Sequence, residues 1–246
     1  MRVLQTLVSR EGFRDSAHNG LRFRALDALL AIAKTNKCQS IQLPMGFLFA
    51  TGEADRDQLL ERVADEARGA SMALIGGIDI DAASKRDVTK ADVLAQNLPY
   101  FGFVADGRGQ LFGPWRQTST TSTNYDPQQV FPNRERTVTV AGVEVSVLLC
   151  GEIFNPNAAT ALGTMRPAVV FAPGHASMGM GLIPALQRVH ASTSCPVLHS
   201  HHVVNAESTH AIAANGQHDS RSIAKNWQYE PMSGGPFWYG WTVRDV

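Results

Sequence analysis

The chain has 246 residues, with 22 Lys+Arg against 22 Asp+Glu, so its formal net charge is zero. That balance argues against a dedicated nucleic-acid or anionic-membrane protein, because both need a field of positive sign. A hydrophobic content of 44% with 18% charged residues is too apolar for disorder, and the length suits a single domain over 1–246.

In chain order, a strand is expected near Val3 to Val8. A helix follows from about Leu21, with Leu26, Leu29, Leu30 and Ala33 on one face and Asn19 as N-cap. Ser40 to Leu43 reads as a strand ended by Pro44. The stripe Leu59, Leu60, Val63, Ala64 and Ala67 marks a helix over 57–68 stopped by Gly69, and a strand runs from Met72 to Ile78. Residues 79–92 read as a charged, solvated loop. Tyr100–Ala105 and Gln110–Trp115 flank Asp106-Gly107-Arg108-Gly109 as a hairpin. The polar stretch 117–134 is a long loop of a kind that often carries function. Strands are expected at Arg136–Val140, Val143–Leu149, Ala168–Phe171 and Pro196–His201, with helices near 157–162 and 182–190. The last forty residues alternate poorly. Alternating strands and helices define an α/β class.

Three cysteines (Cys38, Cys150, Cys195) with no CxxC pair give no disulfide framework and point to a reducing, cytoplasmic setting. The N-terminal stretch lacks the apolar run of a signal peptide, and no segment is apolar for long enough to cross a membrane.

The sharpest local feature is Val143 to Pro156, VEVSVLLCGEIFNP. A buried-type strand ends in Cys150-Gly151 and a helix begins a few residues later. A thiol there stands where α/β sheets bind ligands, on a strand-to-helix turn like that of a nucleophile elbow. The plainer alternative is a small buried hydrophobe at a strand end.

This segment resembles the nucleophile motif of the nitrilase, or carbon–nitrogen hydrolase, superfamily. Ile41-Gln42-Leu43-Pro44-Met45-Gly46-Phe47 looks like the family's Leu-Pro-Glu-Gly strand end, and Leu111–Thr118 like its aromatic-Arg-Lys-Thr stretch. Met72–Gly77, Pro167–Pro173 and Leu186–Val197 fall in the family's order, so the resemblance spans about 1–205. It implies a four-layer αββα sandwich, often dimeric or in higher homo-oligomers through its helices. It also implies a Glu–Lys–Cys triad acting without a cofactor on a small amide, nitrile or carboxylate-like molecule.

Two departures follow. Met45 stands at the family's Glu position and cannot move a proton. Gln117 stands at the Lys position. Of the 22 basic residues only five are Lys (Lys34, Lys37, Lys85, Lys90, Lys225), so no shifted alignment recovers one from 91–224. The implied reading is a diverged or catalytically impaired ligand-binding member that keeps Cys150. The alternative is a working thiol-dependent C–N hydrolase with a substituted base, for which Glu53, Glu135 and Glu152 are candidates. The resemblance makes Arg116, His175 and Phe154 pocket residues. His175 is the histidine expected near Cys150, where a Cys–His pair would activate the thiol without the missing Glu.

Seven of the eight His fall in 175–218. His199 and His201, on one face of a strand at period two, could share a Zn²⁺ or Fe²⁺ with His210, Glu207 or His218, or simply line the pocket. The aromatic tail around Trp227, Tyr229, Phe237, Trp238, Tyr239 and Trp241 reads as packing against the sandwich or a partner subunit, with a protein-binding patch as the other reading.

Overall fold

The computed structural model describes all residues except 10–14, 81–87, 121–124, 129, 177–178, 204–207 and 233–234; the side chains of 225–232, 235 and 236 are likewise outside the description. Glu207, Trp227 and Tyr229 of the sequence reading therefore fall outside it.

Strand β1 (Arg2–Ser9) is buried along nearly its whole length. It pairs in parallel with β2 (Ser40–Gln42) and β11 (His201–Val203), and antiparallel with β15 (Gly235–Asp245). Among the described residues this sheet has nine strands, in the order β14 (Ala224–Met232), β15, β1, β2, β4 (Ala73–Ile80), β5 (Tyr100–Ala105), β6 (Leu111–Arg116), with β3 (Leu48–Ala50) on β4 and β11 on β1. The second sheet has six strands, in the order β13 (His218–Ser222), β12 (Ser208–Ile212), β10 (Val197–His199), β9 (Val169–Phe171), β8 (Val143–Val147), β7 (Thr137–Val140).

Helices α1 (Asn19–Thr35) and α2 (Glu53–Ala70) cover the outer face of the first sheet. Their stripes, Leu26, Leu29 and Leu30 with Leu60, Val63 and Ala67, pack on Leu4, Ile41 and Leu74. The short helix α3 (Lys90–Leu94) carries a Thr89 capping box. Helices α4 (Pro156–Gly163) and α5 (Leu182–Thr193) cover the second sheet with Leu162, Leu186 and Val189. A third apolar layer joins the two sheets face to face through Val3, Ile75, Val104, Val145 and Phe171. The architecture is the αββα sandwich expected from the sequence.

Four local expectations are corrected. Asn19 does not cap α1: its amide exchanges hydrogen bonds with the Phe49 backbone (2.6 and 3.1 Å), and no side chain caps the helix at His18. Gly69 lies inside α2, which stops at Ser71 with φ 53°. Residues 79–80 belong to β4 rather than to a solvated loop, and Asp79 is fully buried. Most of the described residues among the last forty lie in strands: Phe237, Tyr239, Trp241 and Val243 alternate along β15 and pack under the outer helices, while the two glycines and the apolar Trp238 between them obscure the period.

Candidate active site

The parallel ladder of β8, β9 and β10 continues past the ends of its strands. Leu148 N–H bonds Phe171 O (2.9 Å) and Cys150 N–H bonds Pro173 O (2.8 Å); Gly174 N–H bonds Ser200 O (2.8 Å). The chain turning at Cys150 is thereby held beside the loop carrying His175. Cys150 sits at φ 43°, the left-handed region that a non-glycine residue enters at a cost of about 1–3 kcal/mol. The 3₁₀ turn Cys150–Phe154 starts there. Its second residue must be glycine, because a Cβ on Gly151 would collide with the Thr120 carbonyl.

The Cys150 sulfur lies 3.1 Å from His175 Nδ1. On the far side of the ring, His175 Nε2 is 3.0 and 3.1 Å from the two oxygens of Asp79. Asp79 comes from the opposite sheet. In β4, period two puts Ala73, Ile75, Gly77 and Asp79 on one face, and Ala73 and Ile75 belong to the inter-sheet layer. The Tyr100 ring packs on the imidazole at 4.6 Å, tilted by 60°. Gly46 (φ 61°) closes over the pair: a Cβ there would stand 2.7 Å from Asp79 Oδ2 and 3.3 Å from His175 Cδ2. His202 Nε2, 2.9 Å from Met45 O, fixes the Pro44-Met45-Gly46 turn in that position.

Burial alone would lower the His175 pKa. The Asp79 charge, the Cys150 sulfur and the hydrogen bonds to both outweigh it and raise the imidazole to about 10. His202 moves the other way: burial first, then the charge of His175, lower it to about 3, so it stays neutral.

The remaining expected residues spread out. Met45 is fully buried in the inter-sheet layer with Cys150. Gln117 is buried beside the site; its N–H bonds Tyr100 O (2.9 Å) and its Nε2 donates to Ser119 O (2.6 Å). Arg116 points to the other face, over the Phe101 ring at 4.5 Å, bonding Leu98 O and Glu53. Glu135 is exposed. Glu152 is fully buried, but its oxygens are taken by Arg136 (3.0 and 3.2 Å), by Thr118 N–H and Oγ1 (2.7 and 2.9 Å) and by Leu149 N–H (2.8 Å). Phe154 packs in the outer layer under α4 and α5. The histidines at 199 and 201 do not share a strand. The chain leaves the second sheet after His199 and enters the first at His201; the two rings stack at 5.2 Å, with His210 and His218 continuing the column. Among the described residues no group of three or more His, Cys, Asp or Glu is placed to hold a metal ion.

Asp79 is the site residue that sequence reading missed. The signal was present: Ala73-Ile75-Gly77-Asp79 continues an apolar period-two face by one residue.

No family model matches the chain, and no curated protein does. Solved structures do. The amidase of Nesterenkonia sp. AN1, in a glutamate-to-glutamine mutant showing Michael addition of acrylamide at its active-site cysteine, superposes with a TM-score of 0.68 at 14% identity. The alignment covers 100% of this chain and 93% of that one. A mutant of the same enzyme lacking the cysteine, in complex with butyramide, gives 0.68 over 98% and 90% of the two chains, also at 14% identity. A further mutant, described as belonging to the nitrilase superfamily, gives 0.66 at 14% identity. The chain thus shares the fold of these structures. Among the described residues no helix is long and apolar enough to cross a membrane.

Proposed function

We propose that the protein is a thiol-dependent hydrolase of a small-molecule C–N bond in which His175 takes over the work of the family's Glu. One observation carries the reading: an imidazole lies 3.1 Å from the Cys150 sulfur, with its other nitrogen on a buried carboxylate. With Nε2–H donated to Asp79, the ring holds the thiol proton on Nδ1, and the imidazolium so formed is the form that its raised pKa favours. The sulfur then adds to the acyl carbon, and His175 returns the proton to the leaving nitrogen as the C–N bond breaks. Water adds to the thioester with its proton passing to Nδ1, and the acid leaves as the sulfur is reprotonated. Asp79 positions the ring and favours its charged form. The amide-derived ligands of the structural neighbours support a small amide as the bond attacked, and a reducing compartment suits three free cysteines.

Met45 and Gln117 favour a second reading, a member that binds such ligands but turns them over poorly. A panel of small primary amides and nitriles, assayed with wild type and His175→Ala, separates the two. Turnover by wild type that falls by roughly 10²–10⁴ in the variant supports the hydrolase. A silent wild type that Met45→Glu with Gln117→Lys converts to an amidase supports the impaired binder.

A further inference from the structure

Buried polar groups normally find a hydrogen-bond partner, so one that does not asks for an explanation. Two such atoms fall on a single short segment, 117–120. Gln117 is 2% exposed and Ser119 0%, and neither Gln117 Oε1 nor Ser119 Oγ has a partner among the described residues. The bond from Gln117 Nε2 to Ser119 O fixes which end of the amide is which, leaving Oε1 as a pure acceptor.

The segment is tied to the site at three points. Gln117 N–H holds Tyr100 O, and the Tyr100 ring lies on His175. Thr118 is held by Glu152, two residues past the nucleophile. The Thr120 carbonyl abuts Gly151. The backbone that carries the orphaned acceptor and the orphaned hydroxyl therefore runs from beside the ring that packs on the imidazole to the residue that follows the sulfur.

We propose that Gln117 Oε1, assisted by Ser119 Oγ, is the specificity device of this site: it accepts an N–H of the amide nitrogen next to the carbonyl attacked by Cys150, so the site selects N–H-bearing substrates over their oxygen-ester isosteres. The inference rests on Cys150 being the nucleophile. A site with a buried acceptor discriminates strongly against a ligand without a donor, because binding that ligand leaves the acceptor unpaired.

The test uses two alkylators of the same shape, N-methylbromoacetamide and methyl bromoacetate. In each the sulfur displaces bromide, forming S–C as C–Br breaks, and the thiol proton leaves through His175. Labelling of the Cys150 peptide is followed by mass spectrometry, and each rate is divided by that of glutathione. Wild type should favour the amide by about tenfold or more. Gln117→Leu should abolish most of that preference, Ser119→Ala should narrow it less, and Gln117→Glu, which keeps an acceptor, should preserve it. Cys150 labelled by both reagents with the same normalised ratio in wild type and Gln117→Leu overturns the inference while leaving the nucleophile intact; a buried water satisfying both atoms gives that result. Cys150 inert to both reagents overturns the nucleophile reading and this inference with it.

Discussion

Two carboxylates are fully buried near the turn at Cys150, and they do opposite jobs. Glu152 is saturated: a guanidinium, two backbone N–H groups and a hydroxyl hold its two oxygens. Asp79 has a titratable partner, and that partner reaches the sulfur. A buried charge whose partners are all fixed donors locks local structure. A buried charge paired with an imidazole instead sets the state of a group that can move a proton. The sequence neighbourhood favours Glu152, two residues from the cysteine, whereas the geometry favours Asp79, seventy-one residues away.

Substitutions can break this contrast. The largest effect is expected from Cys150→Ala, which should abolish amide turnover and thiol labelling at that site, read by steady-state assay and peptide mapping. Asp79→Asn should lower kcat/KM by about 10²-fold, since the ring loses its orienting charge. Glu152→Gln should act mainly on stability: Arg136 is left buried without its counter-charge, at a cost of about 3–5 kcal/mol in urea unfolding, with a smaller loss of turnover than Asp79→Asn. A Glu152→Gln protein of wild-type stability would remove the distinction.

The smallest effect is on pH dependence. His175 rises from 6.5 to about 10 on folding, so its contribution to stability is complete below about pH 6.5 and is lost as pH climbs through 10. The urea midpoint of wild type should therefore fall over that window more steeply than that of His175→Asn. Parallel profiles would mean that the Asp79–His175 pair does not persist in solution.

Much of this was legible in the sequence. The stripes of α1, α2 and α5, the hairpin at 106–109 and the strand ending at Cys150 are all periodic patterns, and the layers follow from them. His175 was legible from its loop position. Asp79 carried a period-two signal, but the charged stretch that follows it drew it into a loop, and its strand pairing to Tyr100 is a long-range property. The break at Ser200 was hidden for a similar reason. Pro196 to His201 reads as one continuous strand, and only the arrangement of two sheets shows that it serves both.

That break has a mechanical consequence. Ser200 Oγ donates to Gln42 O (3.1 Å) and accepts from Thr6 N–H (3.3 Å), while its carbonyl holds the loop before His175. Cys150 and His175 ride on one sheet and Asp79 on the other, so any sliding between them would stretch the imidazole–carboxylate contact first. By passing from one sheet to the other at this point, the chain acts as a dowel through both plates, and the shear that would part Asp79 from His175 is resisted within a few residues of where it would do harm.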